Sequence, residues 1–549
     1  MIITNALDAF WPLLLRQGLD QLEQREPLST LARTCLIFLT FMVGLALTRY
    51  GWRRYFGEFH TFAAETLRQK IFTHLNGLGG SFFQKTSVGE LMSLMTTDVQ
   101  SFRQAIGPGF LIFADGVIII IFVLPIMIYL NPSWTWKTLI ALPLLPFLIW
   151  KVMRLIHSTY KIQQDRFAEL TGFCHETVGG IRVLKGFARE ENRSAEFKDL
   201  NNKYIKAANK NALVDSFFAP VMEFGVASGS VILLFISMSD ILSGAVSIGT
   251  FVAYHRYIQK MVWPMTALGF GLSFFQKGLA SFSRIKEILT SESDVVDHGQ
   301  REIQEFESLE FRNVSFRYPG SEHWILKNVS FRLEKGQSLA IVGPIGAGKS
   351  TLFHILTRLF PLEKGEILVN GIPWTELSLT SLRNIIRLVP QDPFLYSRSV
   401  QENLALEGHL TAQAELERAA DQAQVLHEIE SLPQSWLSQL GEKGVNLSGG
   451  QKQRLTLARA LLSPAQVLLF DDVLSAVDTI TEEKIETKIL QNSKQTLIVA
   501  AHRLSTVKNL SQVLVLNLGE VEYFGGWQNS GQSPTLRKIS QLQESRGRE

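Results

Sequence analysis

Between Asp115 and Lys137 the chain runs from Gly116 to Trp136 without a single charged residue. A helix needs about 20 apolar residues to cross the hydrocarbon core of a bilayer, and only helices and closed barrels satisfy their backbone there. Part of this chain is therefore expected to be a membrane-embedded helical domain. The mean hydropathy of +0.11 fits that expectation, because the apolar weight is concentrated in the first half of the 549 residues.

Five segments read as spans: Thr34 to Thr48, Phe110 to Leu130, Ser133 to Trp150, Ser216 to Met238 and Val246 to Phe275. Basic residues sit at one end of four of them: Arg49, Arg53 and Arg54 after the first, Lys151 and Arg154 after the third, Lys203, Lys206 and Lys210 before the fourth, and Arg284 and Lys286 after the fifth. By the positive-inside tendency those ends are cytoplasmic. The Asn131-Pro132 turn and the Ser237 to Ser247 loop, with Asp240 as their one charge, fit the outer side, where Trp134 and Trp136 are expected to anchor the interface. Five spans leave the amino terminus outside. Ile2 to Leu15, with Asp8 and Pro12 inside it, is the only segment left for a sixth, and it is shorter than a full crossing requires. Either that helix is cut short here or the start is misassigned; without a basic start or a small-residue cleavage site, a signal peptide is disfavoured.

The polar stretches Arg53 to Arg103 and Lys151 to Asp215 keep a helical period and are expected to carry the spans into the cytoplasm. The composition then changes. Residues 1–290 read as the transmembrane domain, the polar stretch 291–305 as a linker, and 306–549 as an α/β domain opened by the alternating segment Leu309 to Phe316. Cys35 and Cys174 are too few for a disulfide framework or a four-ligand metal site. A net charge of +3 with no basic stripe gives no reason to expect a nucleic-acid partner.

Within the second domain, Gly343-Pro344-Ile345-Gly346-Ala347-Gly348-Lys349-Ser350 fits G-x-x-x-x-G-K-[ST] at every fixed place and follows the buried strand Ser338 to Val342. Backbone N–H groups and a helix beginning near Lys349, with Thr351 in its first turn, would cradle nucleotide phosphates, and the Ser350 hydroxyl would ligand Mg²⁺. A second apolar run, Val467 to Phe470, ends on Asp471, which is suitably placed to hold the same ion. ATP and Mg²⁺ are the implied ligands. Leu447-Ser448-Gly449-Gly450-Gln451 is explained in part as a capping box, but that does not account for the glycine pair.

With this LSGGQ lying between the phosphate loop and the Asp strand, the chain resembles the nucleotide-binding domain of an ABC transporter. Phe82 to Val99 and Glu176 to Glu190 are similar to intracellular loops of ABC exporters, so the likeness extends over the membrane half and is closest to bacterial multidrug-type half-transporters. The resemblance implies further roles. Tyr318 would stack on adenine, Gln391 would touch Mg²⁺, Ser475-Ala476-Val477-Asp478 would cross a dimer interface, and His502 would be the switch histidine at the γ-phosphate. It also implies dimerisation, with each ATP between one chain's phosphate loop and the Ser448 to Gln451 segment of another. The expected setting is the inner membrane, with the nucleotide domain cytoplasmic.

In hydrolytic members the residue after the strand-ending Asp is a glutamate; here it is Asp472, shorter by one methylene, about 1.5 Å of reach. A general base is worth roughly 10² to 10⁴ in rate, so slow turnover is expected. The preferred expectation is one half of a heterodimeric exporter of a small amphipathic substrate, such as a drug, lipid or peptide. The alternatives are a slowly hydrolysing homodimer and a non-transport ATPase; an importer is disfavoured. Glu223, His255, Arg256 and Lys260 fall inside spans. They either contact substrate or neutralise one another.

Overall fold

The structure is a computed structural model that describes residues 1–141, 144–406, 411–441, 444–474, 477–492, 495–501 and 503–546. It comprises two compact units, one of Met1–His74 with Gly89–Ser291 and the other of Leu75–Val88 with Glu292–Glu549.

The first unit is all helix. Its elements are Ile2–Glu23, Leu28–Asn76, Val88–Leu130 with π-turns at Leu94–Asp98 and Ala105–Gly109, Pro132–Ala141, Leu144–Gly179, Ile181–Gly186, Glu190–Ser216, Phe218–Leu242 and Ile248–Leu289. Among the described residues, Leu28–Asn76, Val88–Leu130 and the continuous Glu190–Leu242 are long and apolar enough to cross a membrane. The segment expected at Val246 to Phe275 lies in Ile248–Leu289, where His255, Arg256, Gln259 and Lys260 dilute the hydropathy. Ser133 to Trp150 runs across positions 142 and 143, outside the described residues. Large apolar side chains such as Leu36 and Leu39 stand more than 60% exposed on these helices, the signature of a surface solvated by lipid.

Several polar groups inside this unit are paired. Trp134 is fully buried and donates its indole N–H to Asp240 at 2.8 Å, so it is a packing residue and only Trp136, 69% exposed, is free to meet an interface. Asp8 takes Lys260 at 2.6 Å and Arg49 at 3.6 Å. Lys260 and Arg256 thus do not act as a pair, since Arg256 turns to Gln259 at 3.0 Å.

The second unit is built on two sheets. Its strands are β1 (Ser308–Phe316), β2 (Leu326–Glu334), β3 (Ser338–Val342), β4 (Lys364–Val369), β5 (Ile372–Pro373), β6 (Ile386–Val389), β7 (Val467–Asp471), β8 (Thr496–Ala500), β9 (Gln512–Asn517) and β10 (Glu520–Gly525). An antiparallel sheet has the order β2-β1-β4-β5, and a mixed sheet has the order β10-β9-β3-β8-β7-β6. In the mixed sheet β9, β3, β8, β7 and β6 are parallel, and β7 and β8 are buried along their whole length, as a strand covered on both faces must be. Phe306, Phe311, Phe316 and Phe353 are buried together in the layer under the antiparallel sheet.

Leu75–Val88 joins this unit through its own backbone: Gly80 N–H donates to the Leu359 carbonyl at 3.0 Å, and the Ser81 hydroxyl bonds Asp294. A Cβ at Gly80 would lie 2.7 Å from that carbonyl, so the approach requires glycine. Nearby, the buried Arg358 donates to the carbonyls of Trp374, Leu377 and Val296 at 3.3, 2.8 and 3.0 Å. Arg358→Met would take this donor from the Trp374 and Leu377 carbonyls and leave Val296 with only the His298 N–H. We expect it to lower the stability of the unit by about 2 to 4 kcal/mol, read as a fall of several degrees in the thermal unfolding of the purified chain.

Candidate nucleotide site

Parallel pairing brings the functional groups to one level. In the register, Ala500 of β8 faces Ile341 of β3 on one side and Asp471 of β7 on the other, while Val389 of β6 faces Phe470. The chain therefore leaves β3 into the glycine loop, β7 into Asp472, β8 into Ala501 and β6 into Gln391, all at the carboxyl edge of the sheet. That edge is where open parallel sheets hold ligands. A cavity of about 750 Å³ opens there, lined by Tyr318, residues 345 to 351, Gln391, Asp471 and Asp472.

Gly346 and Gly348 take φ of +83° and +99°, which lets the loop turn its amides inward before the helix Lys349–Leu356 starts. Lys349 is buried, and its ammonium donates to the carbonyls of Gly343 and Pro344 at 2.8 and 3.1 Å. Burial pulls its pKa below the ordinary lysine range, against the pull of Asp472 and Asp471. The Ser350 hydroxyl donates to Asp471 Oδ1 at 2.9 Å. Burial raises the pKa of Asp471, and the Ser350 bond opposes the shift. A hydroxyl and a carboxylate this close, with the Gln391 amide across the cavity, form a hard-oxygen set that suits Mg²⁺. Bound there, the ion would neutralise phosphate charge, and Ser350, Asp471 and Gln391 would hold it.

Asp472 follows with a left-handed backbone, φ +50°, a conformation that Asp tolerates better than most residues. Its Oδ2 lies 3.5 Å from Gln391 Nε2. Tyr318 lines the cavity from the end of β1, its hydroxyl 3.1 Å from Thr351 Oγ1.

The structure does not bring every expected residue to this cavity. Ser448 caps the helix Gly449–Leu462, exchanging bonds with Gln451 at 3.3 and 2.9 Å, so the capping box is real; Ser448 and Gly449 are exposed, and Ser448 to Gln451 do not line the cavity. His502, Ser475 and Ala476 lie outside the described residues. Glu482, Arg503 and Thr506 are polar lining residues that escaped sequence reasoning. The carboxylate of Glu482, 5% exposed, binds Arg503 and also accepts from Thr506 at 3.0 Å. Arg503's place beside His502 was the only available signal.

Comparison with known proteins gives two family matches, ABC transporter transmembrane region over residues 1–265 and ABC transporter over residues 326–475. The chain is 34% identical over 525 residues to the multidrug resistance-like ATP-binding protein MdlA of Escherichia coli, covering 92% of this chain and 88% of that one. It is 32% identical over 529 residues to an ATP-dependent lipid A-core flippase of Desulfotalea psychrophila, covering 95% and 91%. A bacterial Atm1-family ABC exporter solved with ATP bound has the same fold, with a TM-score of 0.80 at 24% identity over 98% of this chain and 97% of that one.

Because burial raises the Asp471 pKa, its proton is held more tightly in the folded state. Ionising it as pH rises therefore costs stability, while at pH below the unfolded value the cost vanishes. Asp471→Asn is expected to melt higher than the native chain at pH 7.5, with the gap closing toward pH 4, and to lose the Mg²⁺-dependent thermal stabilisation by ATP. A variant that melts lower at pH 7.5 would contradict this.

Proposed function

The chain belongs to the ABC transporter family, with its membrane region fused ahead of its nucleotide-binding domain, and from that membership we propose that it is one half of a heterodimeric ATP-driven exporter. It is an ABC exporter of the inner membrane with the nucleotide-binding domain in the cytoplasm, and ABC exporters work as dimers. The finer proposal is that this chain binds ATP and Mg²⁺ at its own phosphate loop but hydrolyses slowly there, while its Ser448 completes a faster site on a different chain.

One observation carries the proposal: Asp472, not glutamate, follows the strand-ending Asp in the cavity that holds Lys349 and Ser350. Its carboxylate starts one methylene further from the cavity's centre, and its nearby polar neighbour Gln391 is already at 3.5 Å. Misplacing a general base removes much of the 10² to 10⁴ it is worth, about 3 to 5 kcal/mol of barrier. The Ser448 to Gln451 segment carries no such substitution, and its Ser448 and Gly449 are exposed, which supports its service to a partner.

For the substrate, we propose a small amphipathic molecule taken up within the membrane unit. A cavity of about 550 Å³ there combines the apolar Leu111, Ile112 and Ile119 with Asp8, Arg49, Asp115 and Lys260. Asp115 accepts from Asn5 and Trp263 at 2.8 and 3.1 Å, so the polar wall is built and held, as charge inside a membrane requires. The names of the relatives, a multidrug resistance-like protein and a lipid A-core flippase, are consistent with such a class.

The purified chain alone is expected to bind ATP and to turn over well below the roughly 1 to 10³ s⁻¹ usual for enzymes. Asp472→Glu should raise its rate by about tenfold or more. An ordinary transporter rate for the chain alone, abolished by Asp472→Ala, would overturn the heterodimer proposal in favour of a homodimer.

A further inference from the structure

The first turns of the helix Lys349–Leu356 present two separate working faces. Lys349 and Ser350 turn to the phosphate loop and Asp471, whereas Thr351 and His354, three residues apart and so on one side, turn to Tyr318. The Tyr318 hydroxyl lies 3.1 Å from Thr351 Oγ1 and 3.3 Å from His354 Nδ1. The Tyr318 ring meets those of Phe316 and Phe360 at near right angles, at centroid distances of 5.1 and 5.2 Å, and His354 packs on Phe360 at 6.1 Å. A tyrosine at a strand end would ordinarily keep its χ freedom and point its hydroxyl to water. This one is fixed at its tip by two partners and at its flanks by two rings.

We propose that His354 is a positioning residue that holds Tyr318 in the orientation in which it stacks on the nucleotide base, so that the phosphate-loop helix itself ties base recognition to phosphate recognition. The inference rests on Tyr318 being the base-stacking residue. The imidazole suits the task. It is half-buried, and burial lowers its pKa, against the pull of Asp471, the carboxylate that acts on it from β7; the neutral ring offers Nδ1 as acceptor while Thr351 supplies the other hydroxyl partner. An aliphatic side chain at 354 would fill the space but leave the Tyr318 hydroxyl held only by Thr351. The base would then meet a ring that samples several orientations, and the ordering of that ring would count against binding.

The test separates base from phosphate. Calorimetric titration of the full chain in nanodiscs, with Mg²⁺, measures affinity for ATP and for inorganic tripolyphosphate, which lacks the base. Their ratio isolates the contribution of the base. His354→Leu is expected to lower the preference for ATP about fivefold, the factor typical of one hydrogen bond, with tripolyphosphate affinity unchanged. His354→Asn, whose amide reaches the place of Nδ1, should recover at least half of it, and Tyr318→Ala should lose at least as much as His354→Leu. If Tyr318→Ala lowers the preference and His354→Leu does not, the positioning role is wrong and base stacking stands. If Tyr318→Ala leaves the preference unchanged, base stacking itself fails and takes the inference with it. Equal losses for ATP and tripolyphosphate in His354→Leu, or no recovery in His354→Asn, would reduce His354 to a packing residue.

Discussion

Asp471 reaches the phosphate loop through strand pairing and not through any attraction of its own. β3 and β7 are not neighbours; β8 lies between them, and its Ala500 fixes the level of both Ile341 and Asp471. A slip of one residue in β8 would turn Asp471 toward the opposite face of the sheet and part it from Ser350. The register is held because β7 and β8 are buried along their whole length, so any slip would carry polar ends into the core. The cavity, the Ser350 bond and the place of Asp472 all follow from that register.

Bringing these groups together has an electrostatic cost. Burial pushes Lys349 toward its neutral form and Asp471 toward its protonated form, and each partly restores the charge of the other. Loop carbonyls and the Ser350 hydroxyl hold the two groups. Nucleotide phosphates and a divalent ion would meet both demands at once. That arrangement favours tight binding, and it is independent of whether Asp472 can position a water. On the proposed roles binding and hydrolysis would rest on different residues, so that one chain could keep the first and weaken the second.

The membrane unit obeys the same rule in a harsher solvent. Three interior groups are satisfied within the unit: Asp8 by Lys260 and Arg49, Asp115 by Asn5 and Trp263, Trp134 by Asp240. The helix Ile2–Glu23 supplies Asn5 and Asp8 to this network, as well as the Ala9 carbonyl that receives the Tyr257 hydroxyl at 2.7 Å.

Much was legible in the amino-acid order because it is local. The uncharged run from Gly116 to Trp136, the glycine loop, the strands ending at Val342 and Asp471 and the capping box at Ser448 are set by neighbours within a few residues. Backbone sterics, hydrogen bonding and hydrophobic period act at that range. Three things were not legible: that Trp134 is buried on Asp240, that Lys260 chooses Asp8 over Glu223 or Arg256's face, and that His354 and Thr351 grip Tyr318. Each joins residues far apart in sequence, or picks one partner among several of equal chemistry. The sequence alone determined which groups this protein has for binding a nucleotide in a membrane exporter; only the tertiary structure decided which of them meet, because strand register and helix packing, not residue identity, set the distances.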